Sequence, residues 1–341
     1  MALEEGDASG EDSFGSAARD YLGRGRTAAG RRMGVSEDQD NLMGWLFVAP
    51  NVFVFSTFLL GPVLFAFYVS FQEWSILRNA GEFIGIENYL TVLQPLPVTT
   101  NGLNLSVFTN PTENLFWYSL KNTFVYAIGT VPLQILGGLA VALMLDKRVR
   151  AKKAYRAAYF MPVMLSGAAS AVMWRWFLSA DGVINSFLRP IGLAHNWAGD
   201  PATALGGVML MAVWGGIGSN MIFFLAGLQN IPEELYEAAR IDGASRWHLF
   251  RHVTWPNLGN TNFFVIVMAV ISAFQVFGIA LVFSEGGPYY ATTTTVLLIY
   301  QRAFDEGLMG EGAAMAFILF LIIFVFSYYQ YRHQRSGEVE Y

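Results

Sequence analysis

Long apolar segments alternate with short polar ones along this chain, on a scale far coarser than the period of a single helix or strand. Six such segments run approximately from Gly44 to Phe71, Leu115 to Leu145, Tyr155 to Leu178, Thr203 to Leu228, Phe263 to Phe283 and Leu308 to Tyr331. Each is near or above the roughly 20 residues that a helix needs to cross the hydrocarbon core of a bilayer. A less apolar stretch, Ala291 to Phe304, precedes the last segment and reads as a helix on or dipping into the outer surface, not as a seventh span. In lipid every backbone group needs an internal partner, so the pattern predicts an all-α integral membrane protein with six transmembrane helices.

Composition agrees. The chain is 54% hydrophobic and only 14% charged, well below the charged fraction of roughly a quarter in soluble domains. It has no cysteine, which removes a disulfide framework, a thiol nucleophile and a Cys-based metal site.

Charge placement supplies the orientation. With six spans, one side holds Arg19, Arg24, Arg26, Arg31 and Arg32 near the start, Lys147, Arg148, Arg150, Lys152, Lys153 and Arg156 in a short loop, Arg240, Arg246 and Arg251 in a later insert, and Arg332 and Arg335 at the end. The other side is left with Arg78, Lys121, Arg175, Arg189 and Arg302. Basic residues stay inside, so both termini and the insert are expected to be cytoplasmic.

Residues 1–40 differ in kind from the rest, being rich in Gly, Ala, Ser, Asp, Glu and Arg, and are expected to be a disordered cytoplasmic tail. Nine acids against five arginines put four of the five net negative charges there. The acidic balance therefore describes the tail, and no nucleic-acid surface is implied. The first apolar segment begins too late and runs too long for a cleavable signal peptide. The membrane domain is expected over 41–341, with an external loop at about 72–114 whose turns are marked by Pro95, Pro97, Asn101, Gly102 and Pro111.

The insert at about 229–260 is the richest in information, because polar sequence of this length has to work in water. Pro232 suits a first helical position, and Glu233, Glu234 and Glu237 favour the positive end of the helix dipole. Gly243 can turn the chain where a Cβ would be strained. Trp247, Phe250 and Val253 then keep one face apolar until Pro256 interrupts the pattern. The expected product is a compact helix-turn-helix knob.

This segment resembles the coupling loop of binding-protein-dependent ABC importers, in which Glu-Ala-Ala is followed after three residues by Gly and after nine more by Ile-x-Leu-Pro. Here the pattern stands as Glu237-Ala238-Ala239, Gly243 and Val253-Thr254-Trp255-Pro256, with every spacing kept. Ile231-Pro232-Glu233-Glu234-Leu235-Tyr236 and Ile241-Asp242-Gly243-Ala244 resemble the sugar and glycerol-phosphate branch. Phe83-Ile84-Gly85-Ile86-Glu87-Asn88-Tyr89 and Gly286-Gly287-Pro288 are similar to elements of the first permease subunit, the maltose-transporter F-like type. The family usually has Phe-Asp shortly before Gly-Gly-Pro, whereas Phe277 is followed here by Gly278, so no role is carried over for that acid.

The resemblance implies a type I ABC importer transmembrane domain with a cytoplasmic coupling helix, in a bacterial or archaeal inner membrane. It implies as partners a second homologous permease, two ATP-binding subunits and an extracytoplasmic substrate-binding protein, and as cargo a sugar or related small polar solute. Glu237, Ala238, Ala239, Asp242, Gly243 and Pro256 would carry the coupling to the ATPase. The family's sugar-contacting segments fall near Ala212, Gly215 and Gly216 and near Ala269, Ser272 and Ala273.

Chemistry inside the spans is sparse. No phosphate-cradling Gly-x-x-x-x-Gly-Lys-Ser/Thr occurs, and none of the four lysines follows a glycine. ATP and Mg are therefore expected on the partner subunits, with no catalytic residue and no cofactor in this chain. Asp, Glu, Lys, Arg and His are missing from the span centres, which disfavours a proton relay; an ATP-independent carrier or facilitator is the alternative. Asn220, Ser272 and Gln275, with Ala212, Gly215 and Gly216, are the substrate-pathway candidates, although small and polar residues equally serve helix packing. His248 and His252 have the spacing of a helical metal pair but no third ligand, so no metal is expected.

Overall fold

The computed structural model describes residues 37–75, 80–99, 102–146 and 150–335. Most of the acidic tail, through residue 36, lies outside the described residues, as do Arg78, Asn101, Lys147 and Arg148. The chain divides into two units, residues 1–66 and 67–341.

The first unit holds helix α1 (Glu37–Phe55) and a π-helical turn (Ser56–Leu60), and α2 (Gly61–Val69) leads out of it. Together they form an apolar helical run of 26 residues, Gly44–Val69. The turn has a local cause. Pro62 brings no N–H, and its ring would meet the carbonyl four residues back. The helix widens just before it, and Gly61 N–H bonds Ser56 O, five residues back.

In the second unit three spans are continuous helices: α5 (Leu115–Asp146), α9 (Ala204–Gln229) and α16 (Met309–Arg335). Between α2 and α5 lies the segment read as a loop at about 72–114, with strands β1 (Gln72–Ser75), β2 (Ala80–Phe83), β3 (Val98–Thr99) and β4 (Gly102–Leu103) and short helices α3 (Glu87–Leu93) and α4 (Ser106–Thr109). Each strand pair is an antiparallel hairpin. The Asn88-Tyr89 pair explains how the segment is held. Asn88 Nδ2 donates to Ser70 O and Gln72 O at 2.9 Å each, and Tyr89 Oη lies 2.8 Å from Ser70 Oγ.

The third span is bent and the fifth interrupted, which apolarity alone does not reveal. The third consists of α6 (Lys152–Met164) and α7 (Gly167–Phe177), meeting at 98°, and the short α8 (Val183–Leu188) follows it. Pro162 ends the ladder, and Leu165 and Ser166 are extended. The apolar run read as span five divides into α13 (Gly259–Phe274) and α14 (Gly278–Ser284), separated at Gln275–Phe277. Among the described residues four helices are thus long and apolar enough to cross a membrane, or up to six if bent pairs count as spans. The polar stretch Arg246–Asn257 also meets α13, at 69°, but Arg246, His248, Arg251 and His252 make it unsuited to lipid. We therefore count α13 with α14 as span five. The stretch from Ala291 is packed into the protein: Thr292, Thr293, Thr294 and Thr295 are fully buried where α15 (Thr295–Tyr300) begins.

The seam between α5 and α9 is the most extensive contact between helices among the described residues. A Cβ added at Gly138 would lie 2.6 Å from Asn220 Cβ and 3.0 Å from Met221 N, and one at Gly137 would lie 2.8 Å from Ile217 Cγ1. Neighbouring α9 glycines face other elements: Gly207 meets Phe283, and Gly218 meets the Tyr159 carbonyl on α6. One apolar cluster centred on Tyr126, Val208, Phe274 and Phe283 and a second on Leu139, Met221, Phe224 and Leu258 lie along this seam.

Gly138→Ala should therefore overpack the seam and cost about 1–3 kcal/mol. Gly206→Ala, where nothing lies within 4 Å of the new Cβ, should be neutral or stabilise by up to about 1 kcal/mol. Thermal unfolding of both variants in one detergent, followed by tryptophan fluorescence, checks the pair; equal shifts would show that the close approach at Gly138 is unimportant.

Candidate functional site

The polar insert folds as the sequence suggests, with two changes of detail. Helix α10 (Glu233–Ile241) starts one residue later than expected, with Pro232 at the N-cap position. Helices α11 (Arg246–Leu249) and α12 (Trp255–Asn257) are joined by a π-helical turn, Phe250–Thr254. Pro256 therefore widens the helix without ending it: Trp255 N–H bonds Phe250 O, as Gly61 bonds Ser56 ahead of Pro62.

Between α10 and α11 the backbone closes a complete C-terminal cap. Ala244 N donates to Ala239 O at 2.9 Å, Gly243 N donates to Arg240 O at 3.0 Å, and Gly243 has φ +80°. That left-handed conformation is natural only for glycine. Ser245 then caps α11, its Oγ accepting from His248 N and lying 2.8 Å from His248 Nδ1. His252 Nδ1 is 3.2 Å from His248 O, and the two rings stack 5.7 Å apart.

The knob has two faces. Tyr236, Phe250 and Val253 pack against the second cluster beside Leu228, Ile231 and Leu258, and Tyr236 Oη lies 3.1 Å from Thr254 Oγ1. On the outer face Glu237, Ala238, Asp242, Gly243 and Pro256 are exposed, and Ala239 is half-buried. Ile241 is 86% and Trp247 63% exposed. Trp247 thus leaves the face expected from its spacing, stacking on Phe250 at 5.7 Å. Exposed apolar side chains beside a defined acidic edge are what a docking surface presents.

The pathway candidates separate into two groups. Ala212, Gly216 and Asn220 sit in the α5–α9 seam. Gln134 Nε2 donates to Ala212 O at 3.1 Å, a Cβ on Gly216 would strike Gln134, and Asn220 backs onto Gly138. Gln134 escaped the sequence reading, although a lone amide in an apolar run was the available signal. Gly215 instead faces open space, and Ser272 and Gln275 are exposed on the α13 side. Among the aromatic side chains of these spans, Trp214 packs edge-on to Trp174, Phe274 to Phe124, and Phe277 lies against Tyr300.

A second polar group was also missed. Asn122 Nδ2 donates to Tyr290 O at 3.0 Å and Thr293 O at 3.1 Å, while Thr123 Oγ1 accepts from Thr295 N at 2.9 Å. These bonds tie the Gly286-Gly287-Pro288 loop to α5.

Residues 103–336 match the family model described as binding-protein-dependent transport system inner membrane component. The chain belongs to that family. Among curated relatives, the probable ABC transporter permease protein YesP of Bacillus subtilis is 35% identical over 84% of this chain and 88% of its own. The arabinooligosaccharides transport system permease protein AraP of Bacillus subtilis is 32% identical over 83% and 85%. The lactose transport system permease protein LacF of Rhizobium radiobacter is 31% identical over 86% and 94%. A crystal structure of a bacterial ABC transporter involved in the import of the acidic polysaccharide alginate shares the fold, with a TM-score of 0.73 at 20% identity, over 88% of this chain and 99% of that one. This family member is therefore a multi-pass membrane protein with the permease fold of ABC importers.

Gly243→Ala would place a Cβ in left-handed backbone, costing about 1–2 kcal/mol although no atom obstructs it. Protease cleavage between Ile241 and Ser245 in the detergent-solubilised chain should rise about tenfold. Unchanged cleavage would mean the cap tolerates a side chain.

Proposed function

We propose that this permease forms half of the translocation pathway of an ATP-driven importer for a neutral saccharide, with ATP and Mg held by two partner ATP-binding subunits. A second homologous permease completes the path, and an extracytoplasmic binding protein delivers the cargo to the external loops, including 83–114, 181–201 and 284–295. The observation that carries the reading is the two-faced knob in a chain without a phosphate-cradling motif. Its outer face is free to dock an ATPase, while its inner face is packed against Leu228 and Leu258 at the ends of two spans. Nucleotide-driven motion of the docked subunit would then act on α9 and α13 together. Such coupling requires contacts that differ between the two states of the transporter.

For the cargo, relatives named for arabinooligosaccharide and lactose transport support a saccharide. Charge narrows it: the span centres hold no basic side chain to balance an anionic solute. Gly215, Ser272 and Gln275, the candidates left outside the helix seam, would contribute to the pathway. Glu237, Ala238, Ala239, Asp242, Gly243 and Pro256 form the coupling site. The inner membrane of a bacterium or archaeon is the proposed location, with both termini, the 1–40 tail and the coupling loop at 229–260 on the cytoplasmic side.

The variant combining Glu237→Ala and Gly243→Phe should insert normally yet lose ATP-driven sugar uptake in proteoliposomes by at least about tenfold, a loss of 1.4 kcal/mol or more in coupling. Undiminished uptake would refute the coupling role. Because the chain has no cysteine, topology can be read with single substitutions. In intact cells Asn104→Cys should react with an impermeant maleimide and Ser245→Cys only after lysis; the reverse pattern would overturn the orientation.

A further inference from the structure

A groove of about 410 Å³ lies between α6 and the end of α9. Arg156, Phe160, Ile222, Ala226 and Gln229 line it over buried Met221 and Leu225, with no acidic side chain among the described residues that line it. Lys152, Arg156 and Phe160 are spaced by four, so they share one face of α6, and all three are half-buried. Arg156 Nε is buried and has no hydrogen-bond partner among the described residues. A guanidinium nitrogen withdrawn from water and left unpaired is costly unless an anion meets it.

Arg156 is the basic residue that lines the groove, exposed Arg150 and Lys153 lie near the start of α6 in the chain, and the lining from Phe160 to Ile222 and Ala226 is apolar. A cationic end followed by an apolar slot, at the end of two spans, fits a molecule with an anionic head and a hydrocarbon tail.

The geometry points to an anionic phospholipid of the inner leaflet, its phosphate on Arg156 and one acyl chain along Phe160, Ile222 and Ala226, a site resting on the orientation proposed above. Basic pockets between spans at the cytoplasmic boundary attract such head groups, and the planar guanidinium grips phosphate through two parallel bonds. An occupant here bridges the bent third span to α9, whose Gly218 already touches the Tyr159 carbonyl. The lipid would brace α6 against the helix that carries the knob.

The test is native mass spectrometry of the full chain, with whatever subunits co-purify, released from nanodiscs of equal parts phosphatidylglycerol and phosphatidylcholine. The wild type should retain phosphatidylglycerol in preference. Arg156→Gln should lower that retention about tenfold, the effect of one charge-assisted bond, and Arg156→Lys should restore part of it. Arg332→Gln, at the end of the last span, should retain it as the wild type does. Should Arg156→Gln fail to fold, Phe160→Trp, which fills the slot and keeps the charge, should expel the lipid to the same extent.

Equal retention of the two lipids, or undiminished phosphatidylglycerol on Arg156→Gln or on folded Phe160→Trp, would overturn the assignment. So would a photoreactive residue at position 160 that joins another polypeptide and not lipid, making the groove a subunit interface. The readout uses neither ATP nor transport. Its failure is therefore distinct from failure of the coupling variants or of the cysteine labelling.

Discussion

The close approach of α5 and α9 is the constraint on which the rest depends. In lipid, helices gain little from the hydrophobic effect when they associate, so dispersion and interhelical hydrogen bonds must hold them. Gly137 and Gly138 bring the α5 backbone against Ile217, Asn220 and Met221, and Gln134 adds a bond to the Ala212 carbonyl. Apolar clusters extend along this seam, one including Phe274 and Phe283, the other including Leu258 beside the knob. Helix α9 thereby becomes a stiff element fixed against one partner along its length, with loops attached at both ends.

Rigidity at the knob follows from the same economy of small contacts. The turn between α10 and α11 is closed locally on both sides, by the left-handed cap at Gly243 and the Ser245 N-cap. The knob's attachment is tertiary: Tyr236, Phe250 and Val253 meet side chains from the last turn of α9 and the approach to α13. A displacement of the outer face would thus be passed to two spans at once, whereas a flexible loop would dissipate it.

Much of this was legible in the sequence, because hydropathy and charge act over whole spans. Continuous helices α5, α9 and α16 follow from length and apolarity, and the knob from polar residues that cannot enter lipid. The bends were not legible, because an apolar run reads the same whether straight or broken. Pro162 ahead of Ser166-Gly167 hinted at the third-span bend, yet Pro132 sits inside unbroken α5, so proline alone does not decide. The burial of Thr292 to Thr295 also escaped, since hydroxyls read as polar although each can bond nearby backbone. The pathway candidates divided for a related reason: a small residue in a span looks the same in sequence whether it admits a neighbouring helix, as Gly216 does, or faces open space, as Gly215 does.

The break at Gln275–Phe277 shows how such a departure is tolerated. Unwound backbone in a membrane protein survives only where protein or water satisfies the freed groups. Here Val276 O accepts from Thr294 Oγ1 at 2.9 Å, and Gln275 N still reaches Ile271 O at 3.2 Å. Thr294 is presented by the same stretch that Asn122 and Thr123 fix to α5. The broken span, the buried threonines and the Gly-Gly-Pro loop therefore form one hydrogen-bonded assembly, and Gln275 is held exposed at its edge. A side chain so placed at an interruption in an apolar helix is better suited to water or a polar solute than to lipid. That physical argument sets Gln275 apart from Ala212, Gly216 and Asn220, whose surroundings are already accounted for by packing.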